Sequence, residues 1–267
     1  MMKQRIQKVL SAAGIDSRRH VEEMVLQGRV AVNGKVVMRL PILIDPAHDR
    51  VTIDGEKIRL RRGDDEPLIY VLLHKPKNVY VTNVAQGEQK RAIDLLPVDF
   101  PRLYPVGRLD HDARGVLLFT NDGDLTHRLT HARFGVPKTY RAAVEGTVTP
   151  QTIELLKKGV WLADPKTGRG FKSIASHVRV IERGERQTII EITVKESRNP
   201  ELRRMMAKLG HRVRDLQRIK FGPLSTEGLA PGKWRLLTPG EITRLRAATE
   251  HIGESSRGSH RPKHQRR

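Results

Sequence analysis

The chain has 267 residues, enough for about two domains with sizeable cores. Lysine and arginine number 50 against 30 acidic residues, a net charge of +20, so the default partner is a polyanion. The absence of cysteine excludes disulfides, thiolate zinc sites, iron–sulfur clusters and cysteine nucleophiles, and no apolar run approaches the ~18 residues of a membrane-spanning helix. The opening MMKQRIQKVL carries no uncharged apolar region of the kind a secretory signal needs, so a cytoplasmic location is expected.

Ile6, Val9, Leu10 and Ala13 fall at i, i+3, i+4 and i+7, and Gly14 follows, which predicts a short amphipathic helix. A second helix starts after Ser17 as N-cap, carries Val21, Met24 and Val25 on one side, and stops at Gly28. Two hairpins come next. VAV and KVV flank Asn33-Gly34, and VTI and EKI flank Asp54-Gly55, both dipeptides suited to the positive φ angles of a type I′ turn. Arg18, Arg19 and His20 occupy the first turn of the second helix away from its apolar side, with Arg29 just past its end. A solvated helix face explains such charges, and so does contact with a nucleic-acid backbone. The stretch QKVLSAAGIDSRRHVEEMVLQGRVAVNGKVV resembles an S4-type RNA-binding domain, and the predicted unit spans residues 3–62.

RRGDDEP at 61–67 lacks apolar periodicity and reads as a linker. A second domain is expected over 68–247. Its strand-like runs are LIYVLLH, GVLLFT, TYRAAVEG, TIIEITV and HRVRDLQRIKF, and two helices are well marked. One has Thr149 as cap, Pro150 at N1 and Gly159 at its end. The other opens at Asn199, Pro200 and Glu201, ends at Gly210, and aligns Leu202, Met205, Met206 and Leu209. Strands without regular βαβ alternation predict an α+β domain on a mainly antiparallel sheet. Residues 248–267, rich in basic and polar types, are expected to form a disordered tail that adds unspecific attraction to RNA.

GLAPGKW at 228–234 fails as a phosphate-binding loop: three residues separate its glycines, and Trp234 stands where a metal-binding hydroxyl belongs. His127 and His131 have the spacing of a zinc pair but no third ligand, so polar surface or phosphate contact near the end of a helix is the better account. The most informative stretch is PVGRLDHDARGVLLFTNDGDLTHRLTH, residues 105–131. Gly107 and Gly115 bracket a loop with Arg108, Asp110 and Asp112, and Asn121-Asp122-Gly123 opens a helix whose early Asp122 and Asp124 suit its positive end. On residue type alone, Asp110 is an aspartate in a turn.

GRLDHDARGVLLFTNDGDL resembles the signature loop of the ribosomal-RNA pseudouridine synthases, in the group of the small-subunit synthase A and the large-subunit synthases B, E and F. LLHKPKNVYVT (72–82), PKTYRAAVEG (137–146) and ESRNPELRRMMAKLGHRVRDLQRIKFGPL (196–224) agree in order and spacing, the last most like the large-subunit synthase B type. The resemblance implies a pseudouridine synthase domain behind an S4-type domain, an RNA substrate, and no cofactor. Asp110 is implied as the catalytic carboxylate, acting as a nucleophile on sugar or base or as a base in glycosidic cleavage. Arg203 is implied as its basic partner, and Tyr140 as the ring against the target uracil. Arg108, Arg18, Arg19, Lys75, Lys138 and Arg204 are expected on the RNA. A monomer is expected, acting on ribosomal RNA or an assembly intermediate.

The chain departs from the family pattern at Asn78, in place of a glycine, at Ala113, in place of a threonine, and at His131-Ala132, in place of His-Pro. Asparagine tolerates the left-handed conformation, so the turn at 78 is expected to survive, whereas Ala113 removes a hydroxyl from the catalytic loop. These departures leave a competing class: a non-catalytic RNA-binding or ribosome-assembly protein on a synthase scaffold.

Overall fold

The computed structural model describes residues 3–60, 67–164, 167–195 and 201–250. Residues 61–66 of the linker read at 61–67, the cap Asn199-Pro200 and the tail beyond residue 250 lie outside the described residues. The chain divides between Pro67 and Leu68 into two compact units.

The first unit contains β1 (Gln4–Arg5), α1 (Ile6–Ala12), α2 (Arg18–Leu26), β2 (Val30–Val32), β3 (Lys35–Val36), β4 (Leu43–Ile44), β5 (Val51–Ile53) and β6 (Glu56–Ile58). Ile6, Val9 and Leu10 of α1 and Val21, Met24 and Val25 of α2 close over Val30, Ile44, Val51 and Ile53, so the helical stripes seen in the sequence are the core. Ser17 caps α2 as expected, its hydroxyl accepting from the His20 N–H. Both hairpin dipeptides lie at positive φ, +51° and +80° at Asn33-Gly34 and +52° and +85° at Asp54-Gly55. They join a sheet of order β3-β2-β5-β6. The β1–β4 pair was not foreseen, because two-residue strands show no period. Arg18 and Arg19 are exposed in the first turn of α2. Arg29 is paired: its Nη2 and Nε bond to the Asp54 carboxylate at 2.6 and 3.0 Å, tying the end of α2 to the second hairpin.

The second unit contains β7 (Tyr70–Lys75), β8 (Tyr104–Pro105), β9 (Arg114–Thr120), α3 (Gly123–Thr130), β10 (Lys138–Glu145), α4 (Pro150–Lys158), β11 (Val160–Ala163), β12 (Gly170–Ser173), β13 (Ala175–Arg183), β14 (Gln187–Val194), α5 (Glu201–Lys208), β15 (Val213–Phe221), β16 (Leu224–Ser225), β17 (Trp234–Leu236) and α6 (Pro239–Ala247). The main sheet runs β13-β14-β10-β15-β9-β7-β17, and among these neighbours β15 and β9 alone are parallel, so the architecture is the expected α+β. Side chains of β7 and β9 are buried on both faces except at Arg114, which explains why LIYVLLH and GVLLFT read as continuous apolar runs. On one face Leu73, Leu117 and Phe119 pack with Leu156 of α4 and with Leu202, Met205 and Met206 of α5. On the other, Leu72, Val116 and Leu118 pack with Leu125 and Leu129 of α3 and Leu245 of α6. Residues 248–250, read as the start of the tail, instead form the closing turn of α6 with Thr249 buried.

Candidate active site

Asp110 sits in the loop between β8 and β9, whose ends are packed down by buried Leu109 and Ala113. The loop closes on itself through the Ala113 N–H, which donates to the Asp110 carbonyl at 3.1 Å. It is pinned from outside by the chain after β7. Asn78, at φ +61°, donates its N–H to the His111 carbonyl at 2.9 Å, so the asparagine does hold the turn expected of it. Lys75 is fully buried, and its ammonium donates to the carbonyls of Ala113 (2.7 Å), Pro76 (3.0 Å) and His111 (3.2 Å). The loop is thus steadied by a cation gripping its backbone at His111 and Ala113.

That finding corrects one expectation. Lys75 spends its donors inside the protein and cannot reach an RNA backbone. Burial pulls its pKa down to about 8; the negative charges of Asp112 and Asp110 oppose the shift, and the Arg218 guanidinium adds to it. Lys138 needs the same correction: it is buried, with its ammonium 3.3 Å from the Val136 carbonyl and over the Phe221 ring.

Arg203 projects from α5 toward the loop because Leu202, Met205 and Met206 take the buried side of that short helix. Its Nε lies 3.7 Å from Asp110 Oδ2, its Nη2 donates to Asp112 Oδ2 at 2.7 Å, and its Nη1 donates to the Val213 carbonyl at 3.0 Å. The guanidinium therefore bridges two carboxylates, and the shorter bond goes to Asp112, a partner that sequence reading did not pair with it. Asp110 keeps a side-chain exposure of 26%, so one oxygen is steadied while the group stays reachable. Arg204 turns one donor to the Ala163 carbonyl, tying α5 to the β11–β12 hairpin.

The sheet supplies the remaining order. Across β14, β10, β15, β9 and β7, the residues Ile192, Tyr140, Arg218, Gly115 and Lys75 stand in one register row. Tyr140 is half-buried on this row, two strands from the one that leads out of the Asp110 loop. Gly115 is required there: a Cβ on it would stand 2.2 Å from the Arg218 carbonyl oxygen, at φ +116°. Arg218, only 2% exposed, was missed by sequence reading. Its Nε donates to the Val116 carbonyl at 2.8 Å, its Nη1 lies 3.5 Å from the Arg108 carbonyl, and its Nη2 is buried without a hydrogen-bond partner. Its alternation with buried Leu216 on β15 was the available signal, masked by the abundance of arginine in the same strand.

Arg108 is exposed at the entrance of the loop, two residues before Asp110. Asp122 caps α3, accepting from the Leu125 N–H at 2.9 Å, and accepts the Tyr70 hydroxyl at 2.8 Å, so it is a structural carboxylate. The GLAPGKW segment braces the edge of β7: Gly232 N–H donates to the His74 carbonyl, and the His74 ring donates to the Leu229 carbonyl at 2.6 Å. The rings of His127 and His131 lie with centroids 5.2 Å apart, tilted by 51°, beside Phe134. Among the described residues no group of three histidine or acidic side chains could hold a metal ion, and no helix is long and apolar enough to cross a membrane.

Comparison with known proteins gives the family and the fold. Residues 69–208 match a family model described as RNA pseudouridylate synthase, and residues 4–39 match one described as S4 domain. An uncharacterized RNA pseudouridine synthase of Aquifex aeolicus is 39% identical over 247 residues, covering 92% of this chain and 94% of that protein. The ribosomal large subunit pseudouridine synthase B of Bacillus subtilis is 37% identical over 250 residues, covering 93% and 98%. A crystal structure of a pseudouridylate synthase shares the fold, with a TM-score of 0.62 at 24% identity over 90% of this chain and 99% of that one.

Proposed function

The chain belongs to the RNA pseudouridylate synthase family, with an S4 domain ahead of the synthase domain, and from that premise we propose that it converts a uridine of ribosomal RNA, in the large subunit, to pseudouridine. The observation that carries this reading is the Arg203 guanidinium 3.7 Å from the Asp110 carboxylate, on a loop locked from below by Lys75. In the reaction the N1–C1′ bond breaks, the uracil turns, a C5–C1′ bond forms, and the proton on C5 leaves while N1 gains one. Asp110 is the carboxylate that starts it, by attack on sugar or base or by assisting cleavage, and each route needs a charged oxygen held in place. Tyr140 lies against the uracil and takes part in the later proton transfer. Arg108 meets the target strand, and Arg18 and Arg19 hold RNA backbone from the S4 domain. Arg204 reaches RNA only with the donors that Ala163 leaves free.

An isomerisation without net redox change or energy donor needs no cofactor. We take the enzyme to work as a monomer in the cytoplasm, on ribosomal RNA or an assembly intermediate. The complete set of Asp110, Tyr140 and Arg203 argues for catalysis over binding alone.

The test is a pseudouridine map of ribosomal RNA from cells lacking the gene, complemented with wild type or with Asp110→Ala. One site should vanish and return only with wild type; an unchanged map overturns the ribosomal-RNA assignment. In vitro, Asp110→Asn should abolish modification while RNA affinity stays within about twofold, since one neutral side chain replaces one charge that repels phosphate.

A further inference from the structure

Beside Asp110, and outside the roles assigned above, two rings meet. Tyr80 and His111 lie with centroids 4.3 Å apart and planes inclined by 35°. Tyr80 is 37% exposed, His111 is half-buried, and His111 directly follows Asp110 in the loop, so its Cα is one residue step from that of Asp110.

Both rings hang from fixed backbone. The Tyr80 N–H donates to the Lys90 carbonyl at 2.9 Å, and the Tyr80 carbonyl accepts from the Ala92 N–H at 2.8 Å. The His111 carbonyl accepts from Asn78 N–H and from the Lys75 ammonium. A stack held in this way is ordered before any ligand arrives and loses little entropy on binding one. Exposed Arg108 stands on the same loop and adds the positive charge that a nucleic-acid strand needs.

We propose that the Tyr80–His111 pair is a stacking subsite for a nucleobase flanking the uridine handled at Asp110. This rests on the synthase reading and adds to it a second contact on the same strand. When a uridine is drawn from its stack, the neighbouring base loses a partner, and an aromatic face at the protein surface replaces it. Stacking is tolerant of base identity, so the subsite contributes affinity and register rather than a strict sequence requirement.

The competing role is a brace that only steadies the catalytic loop, and kinetics separate the two. Tritium release from a ribosomal-RNA transcript labelled with [5-³H]uridine is measured against RNA concentration for wild type, Tyr80→Phe, Tyr80→Leu and Tyr80→Ala. Urea unfolding of each variant and gel-shift affinity on the same transcript accompany the rates. A stacking subsite predicts that Tyr80→Ala and Tyr80→Leu raise KM and weaken affinity about tenfold, with kcat within about twofold, and that Tyr80→Phe behaves as wild type. A fall in kcat at unchanged KM, or no change in either, overturns the proposal. If Tyr80→Ala unfolds, Tyr80→Leu, which keeps bulk without a π-face, gives the same reading. If wild type itself releases no tritium, the ribosomal-RNA reading fails, and the gel shift still decides the subsite by whether Tyr80→Leu weakens binding.

Discussion

Lys75 shows how one side chain can shape a site without touching substrate. Its ammonium holds three carbonyls around Asp110, and burial brings its pKa to about 8 from the ordinary 10.5. As pH rises through about 8 the loop loses its charged clamp, so modification activity should fall on the alkaline side. Stability moves the other way. Between about pH 8 and 10.5 the unfolded chain holds the proton that the folded chain has released, so this group's contribution to unfolding free energy rises with pH. Tm measured from pH 7 to 10 should therefore shift in favour of wild type relative to Lys75→Met, while the activity of wild type declines. A parallel fall of Tm difference and activity would refute the assignment.

At the residue scale the pairing of the carboxylate loop with Arg203 was legible in the sequence through its family resemblance, and Asn78 through its tolerance of positive φ. Lys75 and Lys138 were misread because a lysine is ordinarily exposed, and only three-dimensional packing shows their donors turned to backbone carbonyls. Asp112 as the nearer partner of Arg203 was equally invisible, since the two are 91 residues apart in the chain.

At the scale of elements, the joint between β9 and β15 is the most exacting. These strands are parallel, and the backbone of one runs against Gly115 of the other. Gly115→Ala puts a methyl group 2.2 Å from a carbonyl oxygen at a φ that alanine rarely adopts. A loss of about 3 kcal/mol or more is expected, with the midpoint of urea unfolding as the measure and activity falling at temperatures where the fold persists. A second element-scale device joins the edge strand β17 to α6. Arg235 binds Glu241 at two points, 2.7 and 2.8 Å, and the same carboxylate accepts the Thr238 N–H at 2.9 Å to close the capping box. The Arg235 bond, with help from that cap, lowers the Glu241 carboxyl to about 2. Its contribution is thus complete above about pH 4.5 and is lost as pH falls toward 2. Glu241→Ala should cost about 1–2 kcal/mol at pH 7, and chemical denaturation should show the gap narrowing as pH is lowered from 4.5 to 2.

Helices were read well where caps and apolar stripes coincide, as at Ser17 and Thr149. The strands β1, β4, β8 and β16 have two residues each, and β17 three; runs that short leave no period to detect, and only their pairing with other strands defines them.

For the whole molecule, a net charge of +20 makes RNA affinity steeply salt-dependent. Exposed and buried cations should separate cleanly in that experiment. Replacing Arg108, Arg18 or Arg19 by alanine should lower the slope of log affinity against log salt by about one each, measured by gel shift or filter binding. Replacing Lys75 or Lys138 should leave the slope unchanged, because neither ammonium faces a phosphate.

Composition and pattern by themselves pointed to a polyanion as the default partner and determined the helix-and-hairpin first unit and the α+β second one, because charge, apolar period and turn chemistry are local properties of the chain. The family motifs added Asp110 and its expected partners. Tertiary structure alone decided that Lys75 and Lys138 turn inward while Arg18, Arg19 and Arg108 stay exposed, that Arg203 bridges two carboxylates, and that Arg218 lies buried on the row shared by Tyr140, Gly115 and Lys75. Each of these depends on strands and helices far apart in sequence arriving at one place, and on what burial then does to a charge.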